Sequence, residues 1–532
     1  MKLEESPMNF DHLLAPEQYN ITSELEAYRN DESRLAIRWM DDQGNRRDVS
    51  YKELFSKMNQ YAQAFKSRGI EKGDRLLIIL PRIPEAYMTY LAALRAGIVA
   101  IPCSEMLRKK DLTYRMEHSG AKGIVAFHKT TAETNLITES YPALDNKFIV
   151  GGQEDGWVSL EELAAGQPED YSGEDTHRED MAFLSYTSGT TGNPKGVVHV
   201  HAWGYAHVRT AATEWLGVQQ GDVVWATAAP GWQKWIWSPF LSTITLGATA
   251  FVYHGGFDAE TYLQILQDEK INVLCCTPTE YRIIAKVENL KSYDLHALRS
   301  AVSAGEPLNR QVIEAFQDAF NLNVRDGYGQ TENTLLVGTL QDMEVRPGSM
   351  GKPTPGNQVD VINEFGDPVK SGEVGDIAVH KTAPALFRGY YNDKDRTSAA
   401  YRGDWYLTGD QATKDEDGYF WFEGRSDDII ISSGYTIGPF EVEDALTKHP
   451  AVRECAVVAA PDEIRGSVVK AFIVLRDADQ YPDKDALVKE LQTHTKEITA
   501  PYKYPRIVEF IDELPKTTSG KIRRVELRTP VK

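Results

Sequence analysis

Hydrophobic positions in the first part of the chain follow two alternating patterns. Apolar residues recur at helical spacing over 51–69, 85–95 and 258–269. Short runs that are apolar throughout predict buried strands at 75–80, 124–127, 147–150, 181–184, 223–227, 249–252, 273–276 and 298–303. Strands of this kind that alternate with helices are typical of parallel sheets covered on both faces. Residues 51–328 therefore predict two doubly wound α/β subdomains.

The pattern changes after about residue 348. Short segments separated by tight turns, at 358–362, 375–380 and 418–423, predict a small antiparallel β-barrel subdomain. Helices at 439–449 and 484–495 and strands at 452–459, 468–475 and 506–510 then predict a compact α+β domain. The polar segment 424–428 resembles a linker. We therefore expect a large N-terminal domain over 1–425 and a small C-terminal domain over 426–532.

Composition and charge narrow the class of protein. With 42% hydrophobic and 26% charged residues, the chain of 532 residues has an ordinary globular composition. No apolar run approaches the ~18 residues that cross a bilayer, so stable membrane insertion is not expected. The net charge of −20 argues against a nucleic-acid partner. The acidic N-terminus lacks the apolar segment of a signal peptide, which predicts a cytoplasmic enzyme.

The four cysteines do not predict a metal site or a disulfide framework. Cys103, Cys275, Cys276 and Cys455 lack zinc-type spacing. Cys275 and Cys276 lie in an apolar run, so we expect two buried core thiols.

The segment 186–196 reads YTSGTTGNPKG and follows the predicted strand at 181–184. Glycines let backbone N–H groups turn toward an anion, hydroxyls add donors, and a lysine supplies a point charge. Pro194 stands where the common P-loop has a glycine before its lysine, so this is a different loop. The segment predicts a polyphosphate cradle, and the alternative is a linker rich in serine, threonine and glycine. The candidate residues are Thr187, Ser188, Gly189, Thr190, Thr191, Gly192 and Lys195.

Further segments along the chain are also rich in residues that can bind ligands or take part in catalysis. They are GWQ at 231–233, SAGEP at 303–307, DGYGQTE at 326–332, YLTGD at 406–410, EGRSDD at 423–428, SGY at 433–435 and PKTTSGK at 515–521. Together with the first loop they resemble the adenylate-forming superfamily of acyl-CoA synthetases, luciferases and peptide-synthetase adenylation domains. The resemblance covers residues 51–524, and within the superfamily the chain is most similar to medium-chain and short branched-chain acyl-CoA synthetases.

The resemblance implies a two-step reaction. A carboxylic acid and ATP give an acyl-adenylate and pyrophosphate, and coenzyme A then takes the acyl group and releases AMP. It implies catalytic roles for Lys521, Glu332 and Thr187, with Mg²⁺ on Glu332, a hard oxygen ligand of the type that magnesium prefers.

Binding roles are implied for the remaining matched residues. Besides the loop residues and Lys521, the ATP or AMP site would comprise Gly305, Glu306, Pro307, Asp326, Gly327, Tyr328, Gly329, Gln330, Thr331, Asp410 and Arg425. Coenzyme A would contact Ser433, Gly434, Tyr435, Arg465 and Tyr504. Asp427 takes the hinge position of a C-terminal domain that rotates between the two half-reactions. Related enzymes often carry arginine after SGY, whereas this chain has Thr436, which removes one expected contact to a coenzyme A phosphate.

Two positions affect which carboxylic acid we expect the enzyme to activate. Acetate- and propionate-activating relatives carry tryptophan where this chain has Gly329, so we expect a larger acyl pocket and poor use of acetate. Trp232 matches an aromatic residue that lines this pocket. Trp235 and Trp237 either narrow the pocket or belong to the core. The sequence leaves a medium straight-chain acid, a branched C4–C6 acid and an aryl acid open.

Other functions share these motifs. An adenylating enzyme could pass the acyl group to a carrier protein, although no carrier segment follows Lys532. A non-catalytic nucleotide-binding protein is a third alternative. We also expect Lys521 to be a target for a lysine acetyltransferase and deacetylase, because acetylation removes its charge. Such modification would stop adenylation and spare thioester formation.

Overall fold

The computed structural model describes residues 10–141, 144–187, 194–306, 308–426, 428–432, 435–462, 466–499, 502–516 and 522–528. The chain forms two compact units. The first comprises residues 1–347, 351–358 and 380–400, and the second comprises 348–350, 359–379 and 401–532. The boundary predicted after residue 425 stays a prediction.

The strands in chain order are β1 (Leu35–Asp41), β2 (Arg46–Ser50), β3 (Arg75–Ile79), β4 (Val99–Pro102), β5 (Gly123–Phe127), β6 (Asn146–Val150), β7 (Val158–Ser159), β8 (Met181–Thr187), β9 (Lys195–Val200), β10 (Val223–Ala226), β11 (Thr249–His254), β12 (Val273–Cys276), β13 (Ser300–Ala304), β14 (Val324–Gly329), β15 (Leu335–Gly338), β16 (Ser349–Pro353), β17 (Val359–Ile362), β18 (Gly375–His380), β19 (Tyr401–Arg402), β20 (Trp405–Lys414), β21 (Phe420–Arg425), β22 (Ile430–Ser432), β23 (Tyr435–Ile437), β24 (Val452–Asp462), β25 (Gly466–Leu475) and β26 (Ile507–Phe510).

The α-helices are α1 (Tyr51–Ser67), α2 (Pro84–Arg95), α3 (Lys109–Ser119), α4 (Thr131–Ser140), α5 (Leu160–Ala165), α6 (His201–His207), α7 (Gln233–Trp235), α8 (Ser242–Ile244), α9 (Ala259–Asp268), α10 (Pro278–Ile284), α11 (Arg310–Phe320), α12 (Lys394–Ala399), α13 (Pro439–Thr447), α14 (Lys484–Ile498) and α15 (Arg524–Arg528). Two π-helices follow α6 and α7, at Val208–Leu216 and Ile236–Leu241. Short 3₁₀ helices lie at Asp11–Leu13, Ile21–Tyr28, His128–Thr130, Leu290–Ser292 and Ala478–Gln480.

The first unit contains two α/β sheets, as predicted. One has the strand order β7-β6-β5-β3-β4-β8-β9 and is parallel except for the β8–β9 hairpin. The other runs β16-β15-β14-β13-β12-β10-β11-β1-β2, with a parallel centre from β14 to β1 and antiparallel strands at both ends. The apolar runs predicted as strands all form strands here, because both faces of these sheets are buried.

Local sequence explains why several helices begin where they do. The Ser50 hydroxyl accepts from the backbone N–H of Glu53 and caps α1, whose Leu54, Met58 and Phe65 are fully buried. The π-helices were not predicted, since their wider turn departs from the 3.6-residue period. All four cysteines are buried and free, in agreement with the expected core thiols at Cys275 and Cys276.

The second unit contains two smaller sheets. Strands β17, β18, β20 and β21 are neighbours in that order, with β19 on β20, and they include the short strands predicted for the small subdomain. The C-terminal sheet has the order β23-β22-β25-β24, and β26 pairs in parallel with β25. Its apolar face packs against α13 and α14 in an α+β arrangement. Among the helices of the described residues, none has the length and apolar content to span a membrane.

Candidate active site

The ends of β8 and β9 frame the predicted phosphate loop. Thr187 and Lys195 are directly paired in the antiparallel register, so the intervening residues connect two strand ends at fixed spacing. Pro194, just before β9, accepts a hydrogen bond through its carbonyl from the Tyr114 hydroxyl at 3.0 Å. The predicted phosphate contacts Ser188, Gly189, Thr190, Thr191 and Gly192 lie outside the described residues.

An aromatic cluster supports the base of this hairpin. The Tyr186 hydroxyl and His118 Nδ1 are 2.9 Å apart, and the His118 ring stacks on Tyr114 with centroids 5.3 Å apart. The Arg115 guanidinium lies 5.3 Å from the centre of the Tyr186 ring. Because these contacts tie the hairpin to α3, the strand ends that carry Thr187 and Lys195 are held by packing as well as by the sheet.

Hydrogen bonds through the Tyr390 hydroxyl connect Lys195 to Glu332. Lys195 Nζ donates to the Tyr390 hydroxyl at 3.3 Å, and that hydroxyl donates to Glu332 Oε1 at 2.9 Å. Glu332 and Tyr390 are both 7% exposed. Lys195 and Glu332 were predicted from their motifs, but Tyr390 was not, because it lies in a segment with no strong hydrophobic period. Only the fold reveals this connection.

The segments predicted to hold adenine meet at one edge of the second sheet. Strands β13 and β14 are parallel neighbours, with Ser303 opposite Asp326 and Ala304 opposite Gly327. Gly305 directly follows β13 and has a φ of +106°, a backbone conformation that favours glycine. The carboxyl ends of parallel strands are the usual ligand edge of an α/β sheet. The geometry therefore brings these predicted residues together, while Pro307 lies outside the described residues.

Two carboxylates at this edge differ in their surroundings. Glu306 is paired with Arg282 at 3.0 Å and also accepts from the Thr279 hydroxyl at 2.9 Å. Asp326 Oδ1 accepts from the backbone N–H of Gly327 at 2.9 Å. Loss of solvation raises the pKa of Asp326 to about 7, although the residue keeps some exposure. Tyr328, which was predicted to stack on adenine, follows on β14 and is half-buried.

The turn before Glu332 is fixed by hydrogen bonds. The Gln330 N–H donates to Asn333 Oδ1 at 2.9 Å, and the Thr331 carbonyl accepts from His199 Nε2 at 2.6 Å. Burial lowers the pKa of His199 to about 3, so the ring is neutral and this contact defines its tautomer. Gln330 and Thr331 thus occupy a rigid turn that orients Glu332.

The residues predicted to line the acyl pocket require one correction. The space beside Gly329 is not vacant: an added Cβ would lie 2.8 Å from Trp237 Cη2 and would also overlap the Thr334 carbonyl oxygen. The π-helix that follows α7 places Trp237 there. Glycine at this position is therefore required by close packing, and the Trp237 indole occupies part of the space that was predicted to be open.

The neighbouring tryptophans have separate roles. Trp235 is 2% exposed and stacks on Phe240 with ring centroids 4.8 Å apart, so it belongs to the core. Trp232 is half-buried at the start of α7, where its carbonyl accepts from the Trp235 N–H. The Ser185 hydroxyl donates to Gln233 Oε1 at 2.6 Å and ties α7 to β8, the strand that leads into the phosphate loop.

The predicted ribose contacts belong to the second unit. Asp410 on β20 is opposite Arg425 on β21, with 3.9 Å between Asp410 Oδ1 and Arg425 Nη1. The Asp410 side chain is 8% exposed and that of Arg425 is 45% exposed. A buried carboxylate beside a more accessible guanidinium forms a polar pair with both acceptor and donor groups.

The predicted coenzyme A contacts are described only in part. Tyr504 accepts from Arg506 Nη1 at 2.8 Å, and Lys496 Nζ lies 4.0 Å from the centre of its ring. Neither Arg506 nor Lys496 was predicted from the sequence. Tyr435 begins β23, opposite Ser432, and its side chain is not described. Five other predicted residues lie outside the described residues: the coenzyme A contacts Ser433, Gly434 and Arg465, the predicted hinge Asp427 and the predicted catalytic residue Lys521.

Comparison with known proteins defines the class. The family model "AMP-binding enzyme" matches residues 25–391, and the model "AMP-binding enzyme C-terminal domain" matches residues 441–521. The acyl-CoA ligase YtcI of Bacillus subtilis strain 168 is 58% identical over 525 residues, covering 97% of both chains. The mitochondrial acyl-coenzyme A synthetase ACSM3 of Rattus norvegicus is 40% identical over 526 residues, covering 96% of this chain and 90% of the relative.

Solved structures agree with this classification. The anthranilate CoA ligase AuaEII in complex with anthranoyl-AMP has a TM-score of 0.88 at 29% identity and covers 98% of both chains. A benzoate CoA ligase from Burkholderia xenovorans LB400 has a TM-score of 0.83 at 29% identity and covers 96% of this chain and 100% of the other.

The chain therefore belongs to the AMP-binding enzyme family, in the adenylate-forming superfamily. Within it, the chain is an acyl-CoA synthetase, an acid–thiol ligase that makes acyl-CoA through an acyl-adenylate. The predicted resemblance, enzyme class and reaction type are confirmed.

Proposed function

We propose that this synthetase activates a carboxylic acid larger than acetate, either a medium straight chain or a short branched chain. The observation that carries this proposal is the wall beside Gly329, which Trp237 supplies from a neighbouring π-helix. We infer that Trp237 occupies less of this space than an indole attached at position 329 would, which leaves length for an acyl chain longer than acetate. Trp232, which is half-buried five positions before Trp237, is proposed as a second apolar residue of the pocket.

An aryl acid is the second candidate. The structural relatives AuaEII and the Burkholderia enzyme are named as anthranilate and benzoate CoA ligases. A pocket lined by tryptophan also suits a flat ring, because aromatic pairs gain from edge and offset stacking.

Mg²⁺ fits the carboxylate proposed to hold it. Glu332 is buried. Among the described residues its side chain has one hydrogen bond, from the Tyr390 hydroxyl, and no ion pair with a lysine or arginine. A buried carboxylate in this setting is costly unless a cation is nearby. Magnesium often takes only one or two protein carboxylates when phosphates supply further ligands. When bound, the metal would neutralise charge on the triphosphate.

The other predicted site residues have the following proposed roles. Thr187 and Lys195 flank the triphosphate loop, the β13 and β14 edge holds the adenine, and Asp410 with Arg425 binds the ribose. Lys521 brings an ammonium to the reacting carboxylate, an effect whose loss typically costs a factor of ~10²–10³ in rate. The C-terminal domain over 426–532 rotates about Asp427, so that residues 433–435 replace Lys521 for thioester formation. We place the enzyme in the cytoplasm.

An acid panel tests the substrate class. Straight acids from C2 to C10, branched C4–C6 acids, benzoate and anthranilate are compared by kcat/KM, with AMP release measured with and without coenzyme A. We expect a maximum at a medium or branched chain and AMP release that depends on the thiol. A maximum of kcat/KM at benzoate would establish the aryl alternative. AMP release at the same rate without coenzyme A would favour an enzyme that passes the acyl group to another acceptor.

Lys521 is tested by separating the half-reactions. Lys521→Ala, or acetylation of Lys521, is expected to abolish acid-dependent pyrophosphate exchange while leaving the conversion of supplied acyl-adenylate to acyl-CoA nearly intact. Equal loss of both half-reactions, or full acid-dependent pyrophosphate exchange in the variant, would contradict the assigned role. A wild type that shows no acid-dependent pyrophosphate exchange would favour the non-catalytic nucleotide-binding protein. An acetyltransferase and a deacetylase acting at this lysine are part of the proposal.

A further inference from the structure

Three side chains from distant parts of the first unit form a directed chain of hydrogen bonds. An ammonium only donates, so the Tyr390 oxygen must accept from Lys195. The single phenolic proton is then directed to Glu332 Oε1, which only accepts while the carboxylate is ionised. Both bonds have a charged partner, and such bonds are stronger than neutral ones. The direction of the chain is therefore fixed by chemistry.

The backbone around Tyr390 is itself held in place. Segment 387–391 runs beside β9: the Tyr391 N–H donates to the Gly196 carbonyl at 2.7 Å, and the Arg388 N–H donates to the Val198 carbonyl at 2.9 Å. The Tyr390 N–H donates to Thr397 Oγ1 at 2.9 Å. The phenol consequently projects from a backbone that is bonded on both sides.

The same segment reaches the Glu332 turn. The Phe387 N–H donates to the Glu332 carbonyl at 2.8 Å, and the Phe387 ring packs against the Tyr390 ring with centroids 4.9 Å apart. Arg388 binds both carboxylate oxygens of Glu179, with bonds of 2.7 and 3.0 Å. Segment 387–391 thus links the strand that starts with Lys195 to the backbone that carries Glu332.

We propose that Tyr390 is a positioning residue that couples Lys195 to Glu332 and keeps the two charges apart. The Tyr390 hydroxyl fixes the orientation of the Glu332 carboxylate through Oε1. The second carboxylate oxygen of Glu332, Oε2, has no hydrogen bond among the described residues. The phenol also prevents a direct ion pair, which would neutralise the cation needed by the triphosphate and the anion needed by Mg²⁺. This inference rests on the proposed roles of Lys195 and Glu332.

The test compares nucleotide binding without turnover. The affinities of ATP and AMP are measured by calorimetry, with no carboxylic acid, in excess Mg²⁺ and in a chelator. For Tyr390→Phe, which keeps the ring, we expect the Mg²⁺-dependent gain in ATP affinity to fall by about 10- to 100-fold, as is typical when the partner of a metal ligand is removed. AMP affinity and melting temperature should stay close to those of the wild type.

Two further variants make the result specific. Tyr391→Phe removes a neighbouring hydroxyl on the same segment, where the ring packs against His118, and it should keep the Mg²⁺-dependent gain. In a Glu332→Gln background, Tyr390→Phe should cause no further loss of that gain. Additive losses in the double variant would overturn the coupling.

The outcomes separate this inference from the function on which it rests. If the wild type binds ATP equally well with Mg²⁺ and with chelator, the proposed metal role of Glu332 fails and the coupling fails with it. If the wild type shows the gain and Tyr390→Phe retains it, only the coupling is wrong. Equal losses of ATP and AMP affinity with a lower melting temperature would make Tyr390 a purely structural residue and would also overturn the inference.

Discussion

The Trp237 indole lies beside Gly329, with Cη2 only 2.8 Å from the position that a Cβ at residue 329 would take. Trp237 is 7% exposed and follows Trp235 by two positions, yet the two rings face different surroundings. Side chains two positions apart on a helix point to different sides, so Trp235 packs in the core while Trp237 reaches Gly329.

Shortening Trp237 should move the preferred acid toward longer or bulkier chains. For Trp237→Leu we expect kcat/KM to rise with chain length by up to about fourfold per added methylene, since each buried methylene contributes about 0.8 kcal/mol. The measurement is kcat/KM for each acid of the panel described above. Trp235→Leu is the matched control, because it creates a core cavity and should lower the melting temperature without moving the maximum. An unchanged profile in Trp237→Leu would exclude this residue from the pocket wall.

Asp410 should recognise the ribose hydroxyls. Removing a hydrogen bond to a charged group costs about 1.5–3 kcal/mol, so Asp410→Ala should raise the KM for ATP by about one to two orders of magnitude. With 2′,3′-dideoxy-ATP the wild type should lose a similar amount, and the variant should lose little more. If wild type and variant discriminate equally between the two nucleotides, Asp410 does not contact the ribose.

The pKa of Asp326 predicts a pH-dependent effect on stability. Its pKa is 3.8 in the unfolded chain and about 7 in the folded one, so between these values the folded state binds more protons. The contribution of Asp326 to stability therefore falls as pH rises from about 4 to 7. Denaturant unfolding should show that Asp326→Asn becomes more stable relative to the wild type between pH 5 and pH 8. A pH-independent difference would contradict the raised pKa.

The cations beside Tyr504 should bind a coenzyme A phosphate and so substitute for the arginine missing at Thr436. Lys496→Ala is expected to raise the KM for coenzyme A several-fold and to leave acid-dependent pyrophosphate exchange unchanged. The effect should shrink at high salt, because exposed charges are screened. Lys489→Ala, on the same helix α14, is the control and should bind coenzyme A normally. Equal effects of both substitutions would indicate general electrostatic attraction.

Hydrophobic patterning predicted most of the sheet architecture because parallel strands buried on both faces leave a continuous apolar signal. The run over β12, including Cys275 and Cys276, is one example. Apolar positions at helical spacing likewise predicted the helix α1. Motif chemistry identified the residues that meet at the β13 and β14 edge. These signals are local, so they are readable in a single sequence.

Other features depended on contacts between distant segments. The room beside Gly329 was overestimated, because the side chain that fills it comes from a π-helix nearly one hundred positions earlier in the chain. Tyr390 has no motif of its own, and its importance arises from lying between Lys195 and Glu332. The sequence by itself determined the fold class, the family and the residue types at the site. Only the tertiary structure decided which side chain fills a space and which one orients a charge, because those properties depend on packing and hydrogen-bond direction across segments far apart in the chain.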